Sequence, residues 1–468
     1  MEASMTLWPR YWIRFATMRE HKLKVGVSGV RGVVGEFLTP LLAADFAQAF
    51  GTYVGNGRVI VGRDTRFTGP MIEHAVVCGL LAAGCEVVRI GVQTTPTIQI
   101  YVAETGAVGG IGITASHNPA EWNALKLFNG DGLFFNQYER TELLDLFHQR
   151  EFAEAGNENI LGLSVDEDTP WQRHIDRVVQ HVDVDRIRAR RFRVALDGVN
   201  GAGSRMSVWF LSEILGCELH AIHVDPSMAF PREAEPKPET LGELRELVKT
   251  HVCDVGFGQD PDGDRLAACD GQGEMLDNDD MLALAVEAAL ARKSGDVVVN
   301  LTTSSVIDEV TARFGGRVYR TAVGEANVVE RMRAVNAVIG GEGSSGGVIF
   351  AATHLCRDSY TAMALLMDRM AISGQTLAEL TFALPRYHRR GGKVQFAHGK
   401  LGGLMMAMEK AHPGAQLERT DGLKLSLADG WIHLRSSNTE PLLRVAVESK
   451  SEEVADRLFA ESMALLRT

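Results

Sequence analysis

Short apolar runs recur along the chain. Each is closed by Gly, Asp or Asn and followed by a longer stretch of mixed polarity. RVIVGRDTR (58–66) reads as a strand running into a loop, MIEHAVVCGLLAAG (71–84) as a helix stopped by glycine, and CEVVRIG (85–91) as the next strand. The unit returns as FRVALDGVNGAGS (192–204), a strand entering a Gly-rich turn, and again as DVVVNLTTSS (296–305) followed by the helical VIDEVTARFGG (306–316). Strands alternating with helices predict an α/β architecture. The likeness between units is supersecondary. No strong residue-by-residue repeat accompanies it, and no low-complexity linker divides the chain. The C-terminal part differs. KLSLADGWIHLRSS (424–437) alternates around Asp429-Gly430, a two-residue hairpin signal, LLRVAVES (442–449) is another strand, and SEEVADRLFAESMALLR (451–467) is an amphipathic helix with a serine N-cap. A small α+β domain with an antiparallel sheet is expected there.

Length and charge narrow the picture. At roughly 150 residues per domain, 468 residues suggest about three domains. Apolar residues make up 45% of the chain, enough for several cores, and the net charge of −12 argues against general nucleic-acid or membrane-surface binding. No apolar run is long enough to span a bilayer. Cys78, Cys85, Cys217, Cys253, Cys269 and Cys356 are dispersed without a CxxC pair, as expected of reduced thiols in a cytoplasmic protein. The aromatic, basic N-terminus MEASMTLWPRYWIRFATMREHK lacks the apolar core of a signal peptide and reads as an extension.

Four stretches carry candidate chemistry. In GFGQDPDGDRLAACD, Asp260, Asp262 and Asp264 alternate over five residues. Three carboxylates this close raise one another's pKa unless a cation intervenes, and an all-oxygen set favours magnesium or calcium over zinc. An EF-hand would need glycine and glutamate where Arg265 and Gly271 stand, and the preceding DVGFGQ reads as a strand; a solvated acidic turn is the plain alternative. RSSNTEPLLR (435–444) brackets a turn with two arginines, which suits a phosphate dianion or a simple capped turn. GGEGSSGGVIF (340–350) offers Glu342 as an acceptor for ligand hydroxyls, or is a structural Gly-rich loop. TASHNP (114–119) sets Ser116 beside His117. Adjacent residues rarely form a catalytic triad and no GxSxG elbow is present, so a turn residue or a phosphate carrier remains.

Together these segments resemble the α-D-phosphohexomutase superfamily from about Lys24 to the C-terminus. GVSGVRG is similar to its N-terminal motif, TASHNPAEWNALK to its phosphoserine loop, DPDGDR to its magnesium loop, GGEGSSGG to its sugar loop and RSSNTEP to its phosphate loop; GRDTR (62–66) fits a further motif of the first domain. The resemblance implies four domains around a central cleft, three related mixed α/β units and a smaller C-terminal α+β domain. Their expected ranges are 23–158, 159–276, 277–382 and 383–468, after the extension 1–22.

The resemblance also implies site roles. Ser116 carries the phosphoryl group and completes a Mg2+ shell with Asp260, Asp262 and Asp264. Arg31, Lys126, Arg265 and His117 belong to the catalytic set. Ser28, Glu342, Ser344, Ser345, Arg435, Ser437, Asn438, Thr439 and Arg444 contact substrate. Many relatives carry a histidine in the sugar loop; here it is absent, and His354 is the expected substitute base. A hexose 1,6-bisphosphate is the implied activator and intermediate, small-molecule sugar phosphates are the partners, and the protein is a cytoplasmic monomer or homodimer that binds neither nucleic acid nor membrane. Glucosamine, mannose and glucose phosphates all remain open as substrates, with the Gly-rich GGEG form and the downstream Arg-Asp closer to the archaeal-type phosphoglucosamine mutase branch. A magnesium-dependent sugar phosphatase and an inactive sugar-phosphate binder are the alternatives from other classes. Closure of the fourth domain is the expected means of excluding water.

Overall fold

The computed structural model describes residues 24–26, 29–156, 162–165, 170–396, 399–436 and 442–466. The expected extension 1–22, Ser28, Ser437, Asn438 and Thr439 lie outside them. The chain divides into two compact units. One runs to Arg173 and takes in Asn200–Gly203 and Asp225–Glu235; the other holds the remainder.

The first unit is built on a seven-stranded sheet of β1 (Lys24–Gly26), β2 (Gly29–Val33), β3 (Arg58–Arg63), β4 (Glu86–Val92), β5 (Gly109–Ile113), β6 (Trp122–Asn129) and β7 (Leu163–Val165), in the order β1-β2-β6-β5-β3-β4-β7. β3 is parallel to β4 and β5, whereas β6 is antiparallel to β5. Two of the connecting helices, Pro40–Val54 and Thr95–Thr105, begin at a threonine cap. The Thr39 and Thr94 hydroxyls accept from Leu42 N and Thr97 N, each just ahead of a proline in the first turn.

The second unit contains two further α/β sheets. One holds β8 (Arg193–Asp197), β9 (Glu218–Ile222), β10 (Val255–Gln259) and β11 (Leu266–Asp270); the other holds β12 (Val297–Asn300), β13 (Val318–Thr321), β14 (Ile339–Glu342) and β15 (Gly347–Phe350). Their orders, β9-β8-β10-β11 and β13-β12-β14-β15, repeat β4-β3-β5-β6 of the first unit. In each, the first strand is central, the second and third lie parallel on either side of it, and the fourth returns antiparallel to the third. Strands β5, β10, β12 and β14 are buried along their whole length, in keeping with apolar and glycine runs that end, in the last three, on Gln259, Asn300 and Glu342. The chain changes direction between the first and third strands, and the crevice beyond their C-terminal ends is where such sheets place ligands.

A small side-chain signature marks the repeat. At the end of the first strand, Asp64 Oδ1 accepts from Arg66 N (3.0 Å), Asp197 Oδ1 from Val199 N (2.9 Å) and Asn300 Oδ1 from Thr302 N (3.1 Å). Each is an Asx turn that releases the chain from the sheet toward its helix. The loops containing Ser116 and the three aspartates, and the loop that Glu342 enters from the end of β14, occupy one equivalent place, between the third strand and the fourth.

The C-terminal sheet is antiparallel, as the alternation predicts: β16 (His388–Gln395), β17 (Gln416–Glu418), β18 (Leu423–Leu427), β19 (Gly430–Ser436) and β20 (Leu442–Ser449), ordered β16-β20-β19-β18-β17. Ser451 caps the final helix, its hydroxyl accepting from Val454 N. The hairpin turn corrects the expected position by one residue. Leu427 pairs with Gly430, so Ala428-Asp429 form the turn and Gly430 begins β19. A Cβ at Gly430 would lie 2.3 Å from the Glu448 carbonyl oxygen, so the glycine serves close strand approach rather than turn geometry.

This sheet packs on the 301–305 loop after β12. Lys424 Nζ donates to the Leu301 carbonyl (2.9 Å), Arg389 to the Thr302 carbonyl (2.7 Å), and Trp431 Nε1 to Ser305 Oγ (3.2 Å). Lys424 is 5% exposed and lies 4.2 Å from the Trp431 ring centre. Burial pushes its pKa down to about 7, with Arg320 acting in the same direction and Glu448, Asp308 and Glu418 opposing. An unfolded lysine holds its proton to about 10.4, so between these values the unfolded chain binds more protons and stability rises with pH. Lys424→Met should remove this slope. In urea unfolding at pH 7.5 and 9.0, the native chain should gain up to about 2 kcal/mol relative to the variant; parallel pH profiles would refute the assignment.

Candidate active site

Ser116 follows β5 at φ +49° and is 7% exposed. A non-glycine residue in the left-handed region is held there by its surroundings. Its N–H donates to Thr114 Oγ1 (2.9 Å), and Thr114 Oγ1 donates to Asp64 Oδ2 (2.7 Å). Its carbonyl accepts from Arg66 Nη2 (2.6 Å). The same guanidinium donates to the carbonyls of Asn118 (2.8 Å), Pro119 (2.6 Å) and Trp122 (3.0 Å), while Nε pairs with Asp64 (3.0 Å). One fully buried ion pair thus gathers the backbone of the whole loop. The sequence marked GRDTR only as a motif; the role of Arg66 depends on four carbonyls that converge only once the loop is folded.

The other first-unit candidates lie in this neighbourhood. Arg31 Nη1 donates to Asn118 Oδ1 (2.9 Å), and His117 Nδ1 is 3.4 Å from Ser116 Oγ. Lys126 stands on β6 opposite Gly112, is 5% exposed, and donates to Thr95 Oγ1 (3.2 Å). It is a buried lysine and not a surface one.

Asp260, Asp262 and Asp264 form the reversal between β10 and β11 and are almost fully buried, with ligand oxygens all within 4.8 Å of one another. Strands on both sides exclude an EF-hand, and burial excludes a solvated acidic turn. Asp260 Oδ1 accepts from Arg265 N (3.2 Å), and Arg265 Nε lies 4.0 Å from Asp260 and 3.9 Å from Asp264. An all-oxygen, buried, convergent donor set fits a hard divalent cation.

The Glu342 loop lies beside it. Leu266 N donates to the Gly346 carbonyl (3.1 Å), joining the two reversals. Glu342 is 5% exposed and heavily engaged. Oε1 accepts from Asn300 Nδ2 (3.1 Å) and Gly324 N (2.7 Å), and Oε2 from Arg357 (3.3 Å). Two glycines are demanded by packing: a Cβ at Gly343 would lie 1.8 Å from Asp279 Oδ1, and Gly346 sits at φ +69° with Leu266 O 2.3 Å from such an atom. These contacts bear out the structural reading of this loop: Glu342 is engaged by protein donors on both oxygens and the glycines by packing. Ser344 is exposed and its hydroxyl is 3.2 Å from that of Thr302, whereas Ser345 Oγ turns back to the Glu342 carbonyl (3.0 Å).

The expectation for His354 is corrected. β15 runs antiparallel to β14, so Phe350 is level with Ile339, and His354 N binds the Phe350 carbonyl. Its backbone is anchored at the opposite end of the strand from Glu342, about 10 Å away at ~3.3 Å per residue. The residue that does reach the loop is Arg357. Its Nη2 donates to Asp264 Oδ2 (2.6 Å), Nε to Glu325 Oε2 (2.9 Å) and Nη1 to Glu342 Oε2 (3.3 Å). Burial acts to lower its pKa, but Asp264, Glu325 and Glu342 more than offset this and hold it well above the usual arginine value.

Arg435 and Arg444 stand directly opposite each other on β19 and β20, and Lys393 on β16 is the next partner of Arg444. Like charges directly opposite repel, so a row of three cations suits an anion. Asp421 holds one end, pairing with Arg435 (2.8 Å) and accepting from Val323 N (3.0 Å), next to the Gly324 amide that binds Glu342. Lys393 joins this row through strand register, which is not visible in the sequence.

Phosphoglucomutase/phosphomannomutase profiles match all four regions: α/β/α domain I over 22–154, domain II over 172–273, domain III over 277–387 and the C-terminal domain over 396–465. A probable phosphoglucosamine mutase of Methanopyrus kandleri is 37% identical over 94% of this chain and 97% of its own. A phosphoglucomutase/phosphomannomutase of Thermococcus kodakarensis is 36% identical over 94% and 98%. A Burkholderia thailandensis protein of the same family, 25% identical, superposes with a TM-score of 0.81 over 94% of this chain and 96% of its own.

The Arg66–Asp64 pair generates a stability prediction. Arg66→Ala leaves Asp64 buried without its cation and frees four loop carbonyls, so it should cost about 3–5 kcal/mol in denaturant unfolding. Arg66→Lys, which keeps charge but not the fork, should fall between. A loss below about 1 kcal/mol for the alanine variant would show that the loop holds itself.

Proposed function

Because the chain belongs to the phosphoglucomutase/phosphomannomutase family, whose members shift phosphate within a hexose, we propose that it interconverts glucosamine 6-phosphate and glucosamine 1-phosphate through a phosphorylated Ser116. The observation that carries the reading is the buried aspartate cluster within 4.8 Å, joined through Arg357 to the Glu342 loop. The full-length likeness to proteins named probable phosphoglucosamine mutase supports the choice of sugar. Phosphomannomutase/phosphoglucomutase activity is the alternative, supported by the comparably similar relative of that name.

In this reading the bond between Ser116 Oγ and phosphorus breaks as a bond forms from a sugar hydroxyl to phosphorus. The hydroxyl proton passes to a base and Ser116 Oγ gains one. Lys126, buried on β6, is assigned that acid–base role, and Arg31 and His117 flank the serine loop. The bisphosphorylated sugar then turns end for end and returns its other phosphoryl group to Ser116. Asp260, Asp262 and Asp264 would hold Mg2+, which when bound neutralises charge on the transferring group. Arg265 offsets the loop's remaining negative charge. Glu342 and Ser344 read sugar hydroxyls; Ser345, turned inward, supports the loop. Arg435, Arg444 and Lys393, with Ser437, Asn438 and Thr439, hold the phosphate that is not reacting. Ser28 is assigned to substrate by its motif alone. A cytoplasmic monomer or homodimer acting on small-molecule sugar phosphates is consistent with this chemistry. Among the described residues no helix is long and apolar enough to cross a membrane.

The test is a coupled assay with glucosamine, glucose and mannose phosphates, magnesium and a hexose 1,6-bisphosphate. Glucosamine phosphate should give the highest kcat/KM. Release of inorganic phosphate without isomer would indicate a phosphatase, and binding without turnover a sensor. Ser116→Ala should abolish isomerisation while the fold, read by circular dichroism, is retained; near-normal turnover would remove the mechanism. Asp262→Asn should lower magnesium-dependent turnover by about 100-fold or more, the scale of losing a transition-state charge contact. Unchanged activity in chelator would contradict it.

A further inference from the structure

Arg357 is the residue on which the metal loop and the sugar loop meet. Its three guanidinium nitrogens each face a different carboxylate: Asp264 at 2.6 Å, Glu325 at 2.9 Å and Glu342 at 3.3 Å. Its own N–H also donates to Glu325 Oε1 (3.2 Å), so Glu325 grips both backbone and side chain and serves as the fixed point. Glu325 opens the helix Glu325–Val335 directly after Gly324, whose amide binds Glu342. The following residue is fixed as well. Asp358 pairs with the fully buried His174 (3.0 Å) and caps the helix Ser359–Ser373. Ser359 Oγ then donates to the Gly263 carbonyl in the metal loop (2.7 Å). The chain at 357–359 is thereby fastened to both loops. A planar fork with three rigid directions transmits position in a way that a single ammonium does not.

We propose that Arg357 is a positioning residue that sets the metal loop in register with the sugar loop, so that a change at Glu342 is felt at the cation site. This extends the mutase reading, but its central measurement needs no turnover. Five carboxylates, Asp260, Asp262, Asp264, Glu325 and Glu342, face two guanidinium groups here, Arg265 and Arg357, a formal excess of three negative charges. If Arg357 were only a counter-charge, removing it would deepen that excess and tighten a divalent cation. If it positions Asp264, removing it lets the carboxylates spread and weakens the cation. The two roles have opposite signs.

Mg2+ binding is measured by titration calorimetry on the full chain carrying Ser116→Ala, which removes turnover. Arg357→Met should weaken Mg2+ about tenfold. Glu342→Gln, which alters no atom of the metal loop, should weaken it about threefold with Arg357 present and by less than 1.5-fold when combined with Arg357→Met. Equal or tighter Mg2+ binding in Arg357→Met, or the same Glu342→Gln effect in both backgrounds, would overturn the proposal. Thermal unfolding checks that each variant is folded. Should Arg357→Met fail to fold, Arg357→Lys gives the same decision: charge retained without the fork should still weaken Mg2+ several-fold, and native affinity would overturn the idea. With Ser116 intact, absence of any hexose phosphate isomerisation would refute the mutase reading and leave the Mg2+ comparison to decide this one.

Discussion

A parallel strand that reverses into an antiparallel neighbour must turn within a few residues at the C-terminal edge of its sheet. At this edge of three sheets sits the candidate chemistry: Ser116 after β5, the aspartates after β10 and Glu342 as the last residue of β14. The edge lies beside the point where the chain changes winding direction, so the crevice is inherent in the topology. Short reversals also leave backbone carbonyls and carboxylates crowded and poorly hydrated. The rest of the site consists of the groups that answer this crowding.

Two arginines supply most of the answer. Arg66 gathers carbonyls around Ser116, with its charge balanced by Asp64. Arg357 gathers carboxylates from two sheets. Each is nearly inaccessible to water, where an unpaired charge would be costly. Strain at the candidate carrier, Ser116 at φ +49°, is sustained by the neighbouring Thr114 hydroxyl and by Arg66, 50 residues away in sequence.

The 301–305 loop ties the third α/β sheet to the C-terminal sheet through Leu301, Thr302 and Ser305, while Asn300 and Thr303 reach Glu342 and Gly343. Asp421 makes a second link, from the Val323 amide to Arg435. The Glu342 loop and the row of Lys393, Arg444 and Arg435 are thus connected by short chains of polar contacts.

Sequence by itself determined the alternation of strand and helix, the antiparallel C-terminal sheet, the Ser451 cap and the aspartate cluster at 260–264, because apolar period, capping side chains and closely spaced carboxylates act over a few residues. The Asp64, Asp197 and Asn300 turns were legible in principle, as the same short side chain ends each first strand. Register and convergence were decided elsewhere. The one-residue shift of the 427–430 turn goes with the pairing of Leu427 with Gly430, a position where Glu448 leaves no room for a Cβ, and the cation row of Lys393, Arg444 and Arg435 follows from strand pairing. His354 lies near Glu342 along the chain yet is carried off by the length of β15, while Arg357 is brought back by the helix that follows it. Proximity along a chain is set by covalent bonds, but which charges face one another in a dry interior is set by how sheets and helices pack. Only the tertiary structure holds that information.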